Sequence, residues 1–182
     1  MARTLGNVTV SAKLAGRYTN VRDVDNAVLQ FTKQFEQIFS DGVGANKAQV
    51  YFDDIRGPIA AGANEDLDLF DGSLKDAFGG SLVFSSIKAM LICGIGAVGD
   101  PANISAVRVG GAAATIWEPW TPDTGARIDV FPGGAQLFVA PDATGLPVSG
   151  AAKLLRIANP SAGSDTIKYT IAVLGEGVAT DP

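Results

Sequence analysis

Near the C-terminus, Ile167, Tyr169, Ile171 and Val173 alternate with Lys168, Thr170 and Ala172. A period of two sends one set of side chains to each face of an extended strand. The same alternation recurs where Val8 and Val10 are spaced by Thr9, where Leu67 and Leu69 are spaced by Asp68, and where Ile128 and Val130 flank Asp129. Residues 89–92 and 137–140 are apolar at nearly every position and read as central strands covered on both faces. Between the runs lie turn residues: Gly110-Gly111, Gly133-Gly134, Pro122-Asp123-Thr124-Gly125, Pro141-Asp142-Ala143-Thr144-Gly145 and the cluster from Asn159 to Ser164. Strand and turn signals at spacings of roughly 8–12 residues point to a β-sandwich or barrel, and no strand–helix–strand rhythm appears. The expected fold is all-β, a jelly-roll-like β-sandwich.

Composition allows such a core. AVILMFWYC make up 47% of 182 residues and DEKR 18%, enough apolar material for one domain. The net charge of -5 leaves no basic surplus for phosphates, so nucleic acid is not an expected partner. The chain has no histidine, which removes the Ser-His-Asp triad, His-ligated zinc and the common near-neutral proton shuttle. Its single cysteine, Cys93, sits in an apolar run and reads as a small buried hydrophobe. The first residues lack the apolar segment of a signal peptide. The most apolar stretch, residues 89–99, is about half the roughly 20 residues a membrane helix needs, so no membrane partner is expected.

Residues 1–45 differ from the rest and are expected to form an N-terminal arm or packing extension, with the sandwich at 46–182. Up to Ser40 there are five Lys and Arg against three Asp and Glu, so this part is slightly basic on an acidic chain. Within residues 22–40 two patterns compete. Val24, Val28, Phe31, Phe35 and Ile38 have helical spacing, whereas Leu29, Phe31, Phe35 and Phe39 share one face of a strand. Periodicity alone leaves both open.

Several short motifs carry a possible chemistry. Gly94-Ile95-Gly96-Ala97-Val98-Gly99 is a literal G-x-G-x-x-G after an apolar run. Asp100-Pro101 follows at once, where a dinucleotide site needs a continuing helix, so a strand-to-strand loop is expected. Asp66, Asp68 and Asp71 resemble a calcium loop, but Phe70 stands at a ligand position, and a solvated strand face is the simpler reading. The pairs Asp53-Asp54 and Asp66/Asp68 offer carboxylates, but sequence does not set them across a cleft. Trp117-Glu118-Pro119-Trp120 reads as core or interface packing, or else, with Tyr51, as a sugar-stacking platform. No catalytic, cofactor-binding or metal-ligating residue is assigned.

From Glu65 to Gly175 a set of landmarks recurs in order: Glu65-Asp66-Leu67-Asp68-Leu69, Ser73-Leu74-Lys75-Asp76-Ala77-Phe78-Gly79, Ile87-Lys88-Ala89 and Val109-Gly110-Gly111-Ala112. They continue with Pro132-Gly133-Gly134, Ala140-Pro141-Asp142-Ala143-Thr144-Gly145, Leu155-Arg156-Ile157-Ala158-Asn159 and Tyr169-Thr170-Ile171. This order, over about three-fifths of the chain, resembles a family of small structural proteins of tailed bacteriophages. The chain departs from it at Phe70-Asp71 and in the Pro-containing loop from Gly94 to Asn103.

The resemblance implies a non-enzymatic virion component, assembled in the bacterial host cytoplasm, with no small-molecule substrate. With the arm and the acidic body, it leads to a capsid decoration or minor head protein. The expected partners are the major capsid protein, other virion proteins and copies of itself. Expected contact residues are Phe31, Phe35 and Phe39 on the arm and Trp117 and Trp120 on the body. The alternatives are a tail, neck or baseplate component and a carbohydrate-binding host-attachment module.

Overall fold

A computed structural model describes residues 4–21, 26–96, 99–111, 114–121, 123 and 125–180. Among these the fold is all-β, without a helix. Two long strands, β1 (Val8–Val21) and β2 (Asn26–Asp41), pair antiparallel from Val8↔Phe39 to Val21↔Asn26. The helical alternative for residues 22–40 therefore fails over β2, and Val24 lies outside the described residues. The short β3 (Lys47–Ala48) joins β2 in parallel.

The body is a sandwich of two sheets. The first contains β4 (Val50–Ile59), β6 (Leu82–Cys93), β9 (Ala135–Val139), β10 (Leu146–Pro147) and β12 (Ile167–Ala179), in the order β10-β6-β12-β4 with β9 also on β6. The second contains β5 (Asn64–Asp68), β7 (Val107–Gly110), β8 (Arg127–Val130) and β11 (Leu154–Ala158), in the order β5-β11-β7-β8. The alternating runs at residues 67–69, 128–130 and 167–173 fill the space between them. Ile167, Tyr169, Ile171 and Val173 of β12 are fully buried, as are Val107, Val109, Leu155 and Ile157 of the facing sheet. Each such side chain removed from water contributes roughly 1.5–3 kcal/mol before chain entropy is subtracted.

Residues 137–140 differ from expectation. β9 pairs only with β6 and is a half-buried edge segment, not a doubly covered central strand. Its two apolar faces have different neighbours. Phe138 packs against the sandwich core, and Val139 packs against a second cluster made by Phe39, Ala48, Ala89 and Leu174. That second cluster seats the base of the β1–β2 hairpin on the body.

The turns follow their residue chemistry. Asp142 Oδ1 accepts the amides of Thr144 and Gly145 at 2.8 and 2.9 Å. Among its described residues, the glycine-rich loop after β6 leads to β7 with no helix. At Gly94 a Cβ would lie 2.6 Å from the Phe131 carbonyl oxygen, so close backbone approach explains the glycine. Ala97 and Val98, and Pro122 and Thr124 of the 122–125 turn, lie outside the described residues.

Candidate functional site

The hairpin register turns an irregular string of apolar residues into one face. Residues directly opposite each other share a side of the ribbon. Phe35 faces Ala12, Lys33 faces Leu14, Phe31 faces Gly16 and Leu29 faces Tyr18. With Val8, Val10 and Phe39 at the base, this side is apolar as far as the Tyr18↔Leu29 pair except for Lys33 and Gln37. The other side carries Thr9, Ser11, Lys13, Arg17, Thr32, Gln34 and Glu36, with Val28 and Ile38 as separated apolar residues among them. Phe31 lies across Gly16, where a Cβ would come within 2.7 Å of its ring, so the absent side chain makes room for the aromatic.

Only the base of this face is covered. Phe39 is fully buried, whereas every described side chain from Ser11 to Thr19 and from Val28 to Glu36 is exposed. Leu14, Tyr18 and Leu29 are 61–68% exposed, and Phe31 and Phe35 are 39% and 45% exposed. A two-stranded ribbon alone is marginal in water, and a contiguous exposed apolar face marks an interaction site.

The outer faces of the two body sheets differ. On the four-stranded sheet Arg156 pairs with Asp66 and Arg108 with Asp129, each at 2.7 Å, while Lys153 pairs with Asp68. Arg156 and Lys153 thus occupy Asp66 and Asp68 of the calcium-like stretch, and Asp71 Oδ1 accepts the amide of Ser73 at 2.8 Å. Among the described residues no group of three or more His, Cys, Asp or Glu is placed to hold a metal ion.

The outer face of the five-stranded sheet is apolar. The register sets Leu174, Ala172 and Thr170 of β12 between Tyr51, Asp53 and Ile55 of β4 and Ala89, Leu91 and Cys93 of β6. β9 adds Val139, Leu137 and Ala135. Asp53 and, beyond Thr170, Lys168 are charged on this face, and Lys168 Nζ pairs with Asp100 at 3.2 Å. Ala89 and Leu174 lie under the arm base, and the others are half-buried or exposed. Where arm and sheet meet, a groove is lined by Val8, Val10, Tyr51, Leu91, Leu137 and Leu174. The two apolar faces are thus continuous. Burial raises the Cys93 thiol above its ordinary value, so it behaves as part of this apolar surface and not as a reactive thiolate.

A polar bracket closes one edge of the sandwich. Arg56 of β4 bonds Asp54 at 2.8 Å and Glu65 of β5 through two nitrogens, and Tyr169 Oη donates to Glu65 at 2.9 Å. Burial opposes ionisation of Glu65, but hydrogen bonds from Arg56 and Tyr169 and the Arg56 charge hold it below its ordinary value. Burial and then the Glu65 charge push Tyr169 upward. Arg56 is satisfied on both sides, which makes the bracket a structural tie.

The contact residues expected from sequence separate. Phe31 and Phe35 are exposed on the arm, whereas Phe39 and Trp117 lie in the interior. Trp117 Nε1 donates to the Pro147 carbonyl at 2.8 Å. Trp120 is half-buried, edge-on to Trp117 at 5.6 Å between centroids and 5.1 Å from Phe138. A platform of two exposed indoles is therefore not formed. Glu118 between them accepts the amides of Gly111 and Gly125 at 2.6 and 2.8 Å and pins two loops. Leu91 and Leu137 were not anticipated as surface, because an apolar stretch reads as core until its neighbours are known, whereas Ala172 falls in the set that alternation sends to the outer face.

No family model, curated protein or solved structure matches the chain.

Proposed function

We propose that this chain is a non-enzymatic structural protein of a tailed-bacteriophage virion, a capsid decoration or minor head protein. In this reading the sandwich, jelly-roll-like in its winding, packs on the shell, and the N-terminal hairpin reaches a neighbouring subunit. Assembly takes place in the host cytoplasm, and the major capsid protein or another virion protein is the partner. The observation that carries the reading is the hairpin, whose apolar face is displayed to solvent beyond Phe39. Such a face acts through buried area and shape rather than bond chemistry.

The test is particle composition followed by arm removal. Purified particles of the encoding phage should contain the chain by mass spectrometry, with immunogold label on the head shell. Label on the tail would move the protein to a tail, neck or baseplate position, and absence from particles would refute the reading. Residues 12–35 can be replaced by Asn-Gly, because Ser11 and Glu36 already face each other and a two-residue turn closes such a pair. The shortened chain keeps Val8, Val10 and Phe39 on the body and should fail to bind procapsids or expanded heads. Binding equal to that of the intact chain would exclude the arm from the mechanism.

A further inference from the structure

We infer that the apolar face of the hairpin docks on the outer face of the five-stranded sheet of a second copy of this chain, with the two copies exchanging arms reciprocally. This rests on the reading of the arm as a contact surface and names its occupant. It does not depend on where, or whether, the chain sits on a particle.

Three observations select a second copy. The first is a contact already made within one chain. Val8, Val10 and Phe39, at the base of the hairpin face, pack on Ala89, Leu174 and Val139 of the outer sheet face. The rest of the hairpin face continues the same chemistry, and so does the rest of the sheet face. A second copy therefore offers each surface the kind of partner it already accepts in one chain.

Charge is the second observation. Lys33 is the one charged residue on the hairpin's apolar side, and the sheet's outer side carries Asp53 and Lys168, of which Lys168 already pairs with Asp100. Lys33 and Asp53 have no ion-pair partner among the described residues. The opposite sandwich face, with Arg156–Asp66 and Arg108–Asp129 already paired, offers an apolar ribbon nothing comparable.

Area is the third. Eight residue pairs with described, exposed side chains, from Ala12↔Phe35 to Thr19↔Val28, extend beyond the seated base. At about 3.3 Å per residue and roughly 10 Å of ribbon width, this free face is on the order of 260 Å². One arm on one body buries about twice that, roughly 530 Å², below what a specific interface needs. Reciprocal exchange doubles it to about 1,060 Å², which clears the roughly 1,000 Å² of a specific interface, and gives the closed two-fold arrangement common among homo-oligomers.

The test uses purified full-length protein, without particles, so its failure is distinguishable from failure of the virion reading. Sedimentation equilibrium over a concentration series should show a monomer–dimer transition. Phe31→Ser/Phe35→Ser on the arm and, separately, Leu137→Arg on the sheet face should each weaken the dimer at least about tenfold. Their thermal unfolding midpoints should stay near wild type, since all three positions are exposed or at an edge. The shortened hairpin lacking residues 12–35 should be monomeric, which checks the arm without a point change in the sheet. Lys33→Asp and Asp53→Lys should each weaken the dimer, and the combined exchange should restore it in part. A strictly monomeric wild-type chain overturns the inference. So does a dimer insensitive to Phe31 and Phe35, a dimer insensitive to Leu137, or a monomer that binds only shell protein.

Discussion

Lys88 Nζ lies 3.0 Å from Glu176 Oε1, and both side chains are withdrawn from solvent. The same ammonium donates to the carbonyls of Asp142 and Ala143 at 2.7 and 3.0 Å. Glu176 Oε1 also accepts the amide of Gly44 at 2.7 Å. One buried pair thus ties together β6, β12, the 142–145 turn and the link between hairpin and body. Removing one partner leaves a buried charge alone. Lys88→Met should therefore destabilise by about 3–5 kcal/mol in urea melts, and Lys88→Met/Glu176→Gln by clearly less, because no buried charge remains. Equal losses in the two variants would mean that the pair acts through packing alone.

The Arg56–Glu65–Tyr169 bracket predicts losses of stability at both ends of the pH scale. Glu65 is held below its ordinary value of 4.5, so its contribution is present above that pH and is lost as pH falls through the lowered value. Tyr169 is held above its ordinary 10.0, so its contribution is present below that pH and is lost as pH rises beyond it. Urea midpoints should be level between these limits and fall outside them. Glu65→Gln should flatten the acid limb and Tyr169→Phe the alkaline limb. Unchanged limbs in both variants would remove the bracket as their source.

Trp117 is buried among core residues and its indole N–H is satisfied by Pro147. Trp117→Ala should cost about 3–5 kcal/mol from the lost volume, with a further loss because the Pro147 carbonyl forfeits its donor. Calorimetry measures this directly. A variant of near wild-type stability would place the indole at a surface after all.

Phe39 belongs to a separate, smaller cluster. Phe39→Ala should loosen the hairpin base while leaving the sandwich intact. In hydrogen exchange the amides of Val8–Val10 and Ser40 should lose protection, and those of central β6 and β12 should keep theirs. Uniform loss across both regions would mean that arm and body unfold as one unit.

Much of the sandwich was legible in the sequence, because alternation in β5, β8 and β12 reports burial directly. The hairpin was legible only in part. Leu29, Phe31, Phe35 and Phe39 mark one face, but Val28 and Ile38 on the other side mimic helical spacing, and only pairing with β1 decides. The outer sheet face was hidden for a physical reason. Residues such as Leu91 and Leu137 are as apolar as core residues, and a sequence does not distinguish a face covered by its own chain from one covered by another. Trp117 shows the converse: a Trp-Glu-Pro-Trp string reads as core or interface packing or as an exposed platform, and Pro147 beside the indole decides for the interior.

The central claim is that the apolar side of the arm meets protein while its polar side meets water. Phe31 and Gln34 lie on opposite faces of β2, three residues apart. A photo-reactive p-benzoylphenylalanine placed at position 31 or at position 34 of the full chain reads the two sides separately. The account predicts intermolecular cross-links from position 31, mapped by mass spectrometry, and little or none from position 34. Equal yields from both positions, or none from position 31, would contradict it.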